Sequence, residues 1–284
     1  QEALWRCLKE GVRRVDSATH AELEQADGCF RVVPWSYIFY GEHGDIEIDQ
    51  AGIERVLHQQ GPTSRDVSEA RPFGRWLDAA LYAIGDALPW LTRLFVTNRM
   101  ETRLTEIRRY FHNENEVGDQ IRGLVQDHVR AALDKGHKLM LVGHSFGAVI
   151  AFDALWDLSR RKGDSRAVDL FVSMGSPLGL RFIREHLLGA HEAGPHAYPD
   201  NIGRWLNITA LGESAAGDRS LHKVFGAMLD YDLVDEIDDH DELINTYRGE
   251  AGLNVHKCYG YFANQDTGRY VSAWWKGAAE FKSD

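Results

Sequence analysis

The stretch from Lys138 to Arg161 constrains the fold more than any other part of the chain. Lys138-Leu139-Met140-Leu141-Val142 is a continuous apolar run of the kind that forms a strand buried on both faces. Gly143-His144-Ser145-Phe146-Gly147 follows at once, and Ala148 to Arg161 then reads as an apolar helix. A strand that turns into a helix within one residue holds that residue in a strained backbone conformation, and small flanking residues leave room for it. Gly143 and Gly147 are expected to supply that room.

A G-x-S-x-G pentapeptide alone is weak evidence, because glycine and serine are common. Between such a strand and such a helix it becomes specific. The turn would lift the Ser145 hydroxyl above the sheet at a helix N-terminus, where amides stabilise developing negative charge. The backbone N–H of Phe146 is the expected first donor to an oxyanion. An unactivated hydroxyl is a poor nucleophile at neutral pH, so Ser145 needs a base. Strand–turn–helix nucleophiles of this kind are followed in chain order by an acid and then a histidine. Among the histidines after Ser145 (His186, His191, His196, His222, His240 and His256), His256 is the best placed, late in the chain and just ahead of a terminal helix. The acid should follow a strand. Trp205 to Leu211 reads as one and runs into Gly212-Glu213, with Asp218 five residues on. Glu213 is favoured because strand ends present side chains more reproducibly than loop tips; Asp218 stays open as the alternative.

The rest of the chain fits an α/β architecture. Leu4, Leu8, Val12 and Val15 mark an amphipathic opening helix, and residues 116–133 a longer one. Val168 to Met174 reads as another buried strand, and strands separated by helices argue for a mostly parallel sheet. Residues 29–40, rich in aromatic and β-branched side chains, read as a strand interrupted or placed at an edge by Pro34. Residues 50–72 read as a loop or short-helix region, and Trp76 to Phe95 as an apolar helical segment, either a cap over a binding site or packed core.

These stretches resemble the α/β-hydrolases of the bacterial esterase and lipase-like kind. The resemblance is carried by Leu141 to Ala148, by Phe171-Val172-Ser173-Met174-Gly175-Ser176-Pro177-Leu178-Gly179, by Trp205-Leu206-Asn207, and by His256-Lys257-Cys258-Tyr259-Gly260-Tyr261. It spans residues 115–284 with specific motifs and the first 115 only loosely. It implies a single α/β-hydrolase domain over 1–284, a mostly parallel central sheet flanked by helices, and a helical cap-like insertion at 50–115. It further implies an esterase using Ser145, His256 and an acid, without cofactor or metal. Relatives mostly carry Asp at the strand end, so Glu213 is a departure. They also draw a second oxyanion donor from an early loop, often His-Gly. Because the chain opens without methionine inside a helix, that loop is expected upstream of Gln1, with His43-Gly44 as the alternative.

Composition narrows the function. The 284 residues carry 32 basic and 43 acidic side chains, a net charge of −11, which disfavours nucleic acid and anionic membranes. Three scattered cysteines give no disulfide framework and point to a reducing, cytoplasmic setting. No apolar run approaches the roughly 20 residues of a membrane span. Glu22, Glu24 and Asp27 read as a solvated acidic face, and Asp235 to Glu242 as an acidic run that a cation could neutralise. The latter lacks the glycine-containing spacing of a Ca²⁺ loop. Asp153 reads as a helix-face carboxylate or cap partner, and Cys258 as a packing residue. The expected activity is hydrolysis of acyl esters through an acyl-enzyme. The alternatives are a lipase or thioesterase with the same residues, touching a lipid surface through the Trp76 to Phe95 segment, and a non-catalytic binding module on the same fold.

Overall fold

The computed structural model describes residues 1–41, 46–71, 107–213 and 219–278. Its centre is a four-stranded sheet, β1 (Met140–His144), β2 (Val168–Met174), β3 (Ile202–Ala210) and β4 (Glu236–Leu243), in spatial order β1-β2-β3-β4. All three strand pairs are parallel. Chain order and spatial order coincide, so each connection returns the chain to the same end of the sheet and every strand finishes at one common edge.

Side-chain alternation sorts the core into two layers. On one face Phe171 and Trp205 pack with Ile121 and Val125 of a long helix and with Val149 and Phe152 of the helix that follows β1. On the other, Leu170, Val172, Leu206 and Ile208 pack with Leu8 and Val12 near the N-terminus and with Tyr261 and Val271 near the C-terminus. The flanking helices are α1 (Glu2–Arg13), α2 (Ser17–Gln25), α3 (Ser36–Tyr40), α4 (Glu47–His58), α5 (Ser64–Ala70), α6 (Val117–Leu133), α7 (Phe146–Trp156), α8 (Cys258–Phe262) and α9 (Gln265–Trp275), with several single-turn helices between them. No helix among the described residues is long and apolar enough to cross a membrane.

One expectation changes, and two open readings are resolved. Residues 29–40 are not a strand: an irregular segment leads into α3, which closes at Gly41 with φ 68°. Pro34 removes a ladder donor just before it, and the Trp35 and Phe39 rings, four residues apart, meet edge to face at 5.9 Å, a helical pairing. Residues 50–72, read as a loop or short-helix region, hold the end of α4 and the seven-residue α5, which opens with a reciprocal capping box between Thr63 and Asp66. The acidic run forms the fourth parallel strand, with Ile237 and Leu243 buried. Of the proposed insertion at 50–115, the Trp76 to Phe95 segment lies outside the described residues.

Candidate active site

Ser145 stands between β1 and α7 with φ 56° and ψ −133°. A non-glycine residue in that region carries about 1–3 kcal/mol of strain, maintained only where the surroundings over-determine it. Here the Ser145 N–H donates to the Met174 carbonyl at 2.9 Å, and the Ser145 carbonyl accepts from Ala148 N–H at 3.0 Å. The sheet and the helix therefore hold the same residue from opposite sides.

The two flanking glycines are not equivalent. A Cβ on Gly143 would lie 2.4 Å from the Ala148 Cα and 2.7 Å from its nitrogen, a backbone clash with no side chain to yield. A Cβ on Gly147 would meet only Trp35 Nε1, at 3.5 Å, an ordinary contact. The expectation that both glycines make room is thus corrected at Gly147: the helix turns away from the strand there, and only the 143 position faces backbone.

The Ser145 side chain does not cap its own helix. Its Oγ lies 2.9 Å from His256 Nε2, and His256 Nδ1 lies 2.7 Å from Glu213 Oε2. One tautomer satisfies both bonds, with Nδ1–H donating to the carboxylate and Nε2 accepting from the serine hydroxyl. Glu213 follows β3 by three residues and its side chain is only 2% exposed. The structure brings Ser145, His256 and Glu213 together across 111 residues of chain. Asp218, the other candidate acid, and His43-Gly44 lie outside the described residues. Phe146, first residue of α7, has no intrahelical acceptor for its N–H.

Sequence reasoning overlooked the residues that fix these three. Tyr261 on α8 accepts the Ala210 N–H at 3.0 Å at the end of β3 and sets its hydroxyl 3.4 Å from Glu213 Oε2. Gly175, at φ 52°, ends β2 beneath this pair; a Cβ there would stand 2.9 Å from the Tyr261 hydroxyl and 3.2 Å from Glu213 Oε2. The loop carrying His256 is held by its main chain. Fully buried Asn245 donates to the carbonyls of Val255 (2.8 Å) and Lys257 (2.9 Å), and His144 Nε2–H donates to that of His256 itself (2.7 Å). Burial, followed by the neighbouring His256, pushes His144 down to about 3, so its imidazole is neutral and its Nε2 proton is available for that bond. The only sequence signals for these contacts are a lone Asn just after β4 and an aromatic-rich stretch after the histidine.

Other highlighted residues lie apart from this chemistry. Asp153 is buried on α7, accepting from Leu188 N–H (3.0 Å) and Tyr110 Oη–H (3.1 Å), and burial raises it to about 6. Asp239 of the acidic run accepts from Asn207, Ser220 and the amides of Leu221 and His222, a structural tie between β4 and the connection after β3. The Cys258 thiol is pushed up to about 11 by burial, which keeps it protonated. Among the described residues, no group of three or more His, Cys, Asp and Glu is arranged to hold a metal ion. No family model, curated protein or solved structure matches this chain.

Proposed function

We propose that this chain is a serine hydrolase of carboxylic esters with an α/β-hydrolase type of fold. One observation carries the reading: the unbroken hydrogen-bonded relay from Ser145 Oγ through the His256 imidazole to Glu213 Oε2, built on a strained residue at the head of a helix. His256 Nε2 takes the Ser145 proton as Oγ attacks the ester carbonyl, and the carboxylate of Glu213 stabilises the imidazolium that forms. The N–H of Phe146 and the positive end of α7 stabilise the oxyanion. Collapse of the tetrahedral intermediate passes the proton from His256 to the leaving alkoxide and leaves an acyl-Ser145 ester. Water, deprotonated by the same nitrogen, then releases the acid.

Neutral p-nitrophenyl esters of short and medium acyl chains test this directly. Wild type should hydrolyse them and Ser145→Ala should not, and a fluorophosphonate probe should label wild type at Ser145 alone. Equal rates for the two proteins, or no labelling of wild type, would turn the reading toward a binding module on the same fold.

A further inference from the structure

The ring of Phe146 packs into an aromatic cluster. It meets Trp35 at 6.4 Å, Tyr110 at 5.3 Å and Phe111 at 5.9 Å between centroids. Phe111 also lines a cavity of about 310 Å³, whose lining among the described residues is completed by Arg108, His112, Phe182 and His186. The cavity is therefore one ring removed from the residue that follows Ser145. Ligand pockets of roughly 300 Å³ suit small molecules, with apolar walls for area and a few polar groups for orientation.

The lining has a definite chemical character. Phe111 and Phe182 approach at 6.4 Å, and the His186 ring lies 5.3 Å from Phe111 and 4.4 Å from Phe182. His186 Nδ1–H donates to the Phe182 carbonyl at 2.8 Å, which leaves Nε2 as the ring atom available to a ligand. Arg108 is exposed and forms no ion pair among the described residues. Among the described residues no carboxylate lines the cavity, and the acid beside His186 in sequence, Glu185, is already paired with Arg181 at 2.7 Å. In a chain of net charge −11, a concave site furnished with a guanidinium, two imidazoles and two phenyl faces is a local exception to the surrounding field. Guanidinium recognises carboxylate through two parallel hydrogen bonds, a geometry lysine does not offer.

We propose that this cavity is a specificity pocket for a carboxylate-bearing aryl-alkyl group, with the carboxylate on Arg108 and the apolar part against the Phe111 and Phe182 rings that line it. In one respect this rests on the hydrolase reading, namely that the group held there belongs to the ester attacked by Ser145; occupancy of the pocket does not depend on it. The preferred substrates would then be esters with a free carboxylate at one end and an aromatic or short aliphatic body. The −11 charge disfavours their approach at long range, so the selectivity comes from contacts inside the cavity.

Binding separates the two ideas. In the full-length Ser145→Ala chain, calorimetric titration with 4-phenylbutyrate and with 4-phenylbutanol compares one body with and without the charge. The acid should bind roughly tenfold tighter, the usual worth of a hydrogen bond to a charged group. The preference should vanish in Arg108→Gln and persist in Arg130→Gln, a control cation on α6. Equal affinities for the two ligands, or a preference that survives Arg108→Gln, would overturn the pocket. A wild type that shows the binding preference but hydrolyses no ester would keep the pocket and remove the hydrolase reading.

Discussion

Glu213 Oε2 stands 2.7 Å from His256 Nδ1, and the same oxygen is 3.4 Å from the Tyr261 hydroxyl. The carboxylate is nearly inaccessible to solvent, so its charge acts on the imidazole with little screening. Glu213→Gln preserves shape and removes that charge. Hydrolysis should fall by about 10³–10⁴ in kcat, the scale associated with losing the orienting acid of such a relay. Asp218→Asn should leave the rate within about twofold. Steady-state kinetics on one neutral ester decides; the reverse pattern would transfer the acid's role to Asp218.

His144 makes acid sensitivity a property of the histidine loop. Its folded-state pKa of about 3 lies below the ordinary 6.5, so between these values the unfolded chain binds a proton that the folded chain refuses. Stability therefore rises with pH through this window and is lost as pH falls below about 6.5, by about 1 kcal/mol per pH unit for a partly exposed ring. His144→Gln keeps an N–H donor but cannot titrate. Urea unfolding at pH 7.0 and 5.0 should show a smaller acid loss in the variant than in wild type, and an equal loss in both would refute the linkage.

The glycines around Ser145 should separate in mutagenesis. Gly143→Ala places a methyl against the Ala148 backbone and should cost at least about 3 kcal/mol, or prevent folding, as overpacking against main chain does. Gly147→Ala should cost less than about 1 kcal/mol and could gain from improved helix propensity. Thermal melts of the two variants, prepared together, provide the comparison.

Asn245 should matter to catalysis without touching a substrate. Asn245→Ala deprives two carbonyls of their donor, a loss of about 1–3 kcal/mol of stability, and it frees the segment on which His256 rides. The expected signature is a reduced kcat with KM nearly unchanged at a temperature where circular dichroism shows the variant folded. A full-rate, folded Asn245→Ala would mean that His144 alone suffices to hold the loop.

The legible parts of this molecule were those where local pattern and tertiary environment agree. β2 and β3 are largely buried strands and β1 a half-buried edge strand with an apolar run, and all three emerge within a few residues of where the pattern puts them. Ser145, His256 and Glu213 were reachable because the nucleophile's turn has a strong local signature and chain order limits the partners. β4 was hidden because six of its eight residues are charged or histidine; parallel pairing with β3 and the hydrogen bonds gathered by Asp239 override its low β-propensity. The segment before Ser36 misled in the opposite direction, since β-branched and aromatic side chains there cover α6 and α7 instead of forming a ladder. Asn245 and Tyr261 act through contacts to main chain far away in sequence, which no spacing rule encodes.

β2 contributes no reacting group, yet it sets the length of the relay. Ser145 follows β1 and Glu213 follows β3, so they are two strand spacings apart, roughly 9.6 Å. An imidazole with one hydrogen bond at each end bridges that gap, and Gly175, just after β2, leaves the Glu213 carboxylate room that a Cβ would crowd. The sheet thus works as a ruler. Shortening the acid by one methylene, as in Glu213→Asp, would leave a gap of about 1.5 Å that only movement of the His256 loop could close, and that loop is gripped at three consecutive carbonyls. The tolerance of this site for one carboxylate over the other is therefore decided by strand spacing and by Asn245 and His144 as much as by the carboxylate itself.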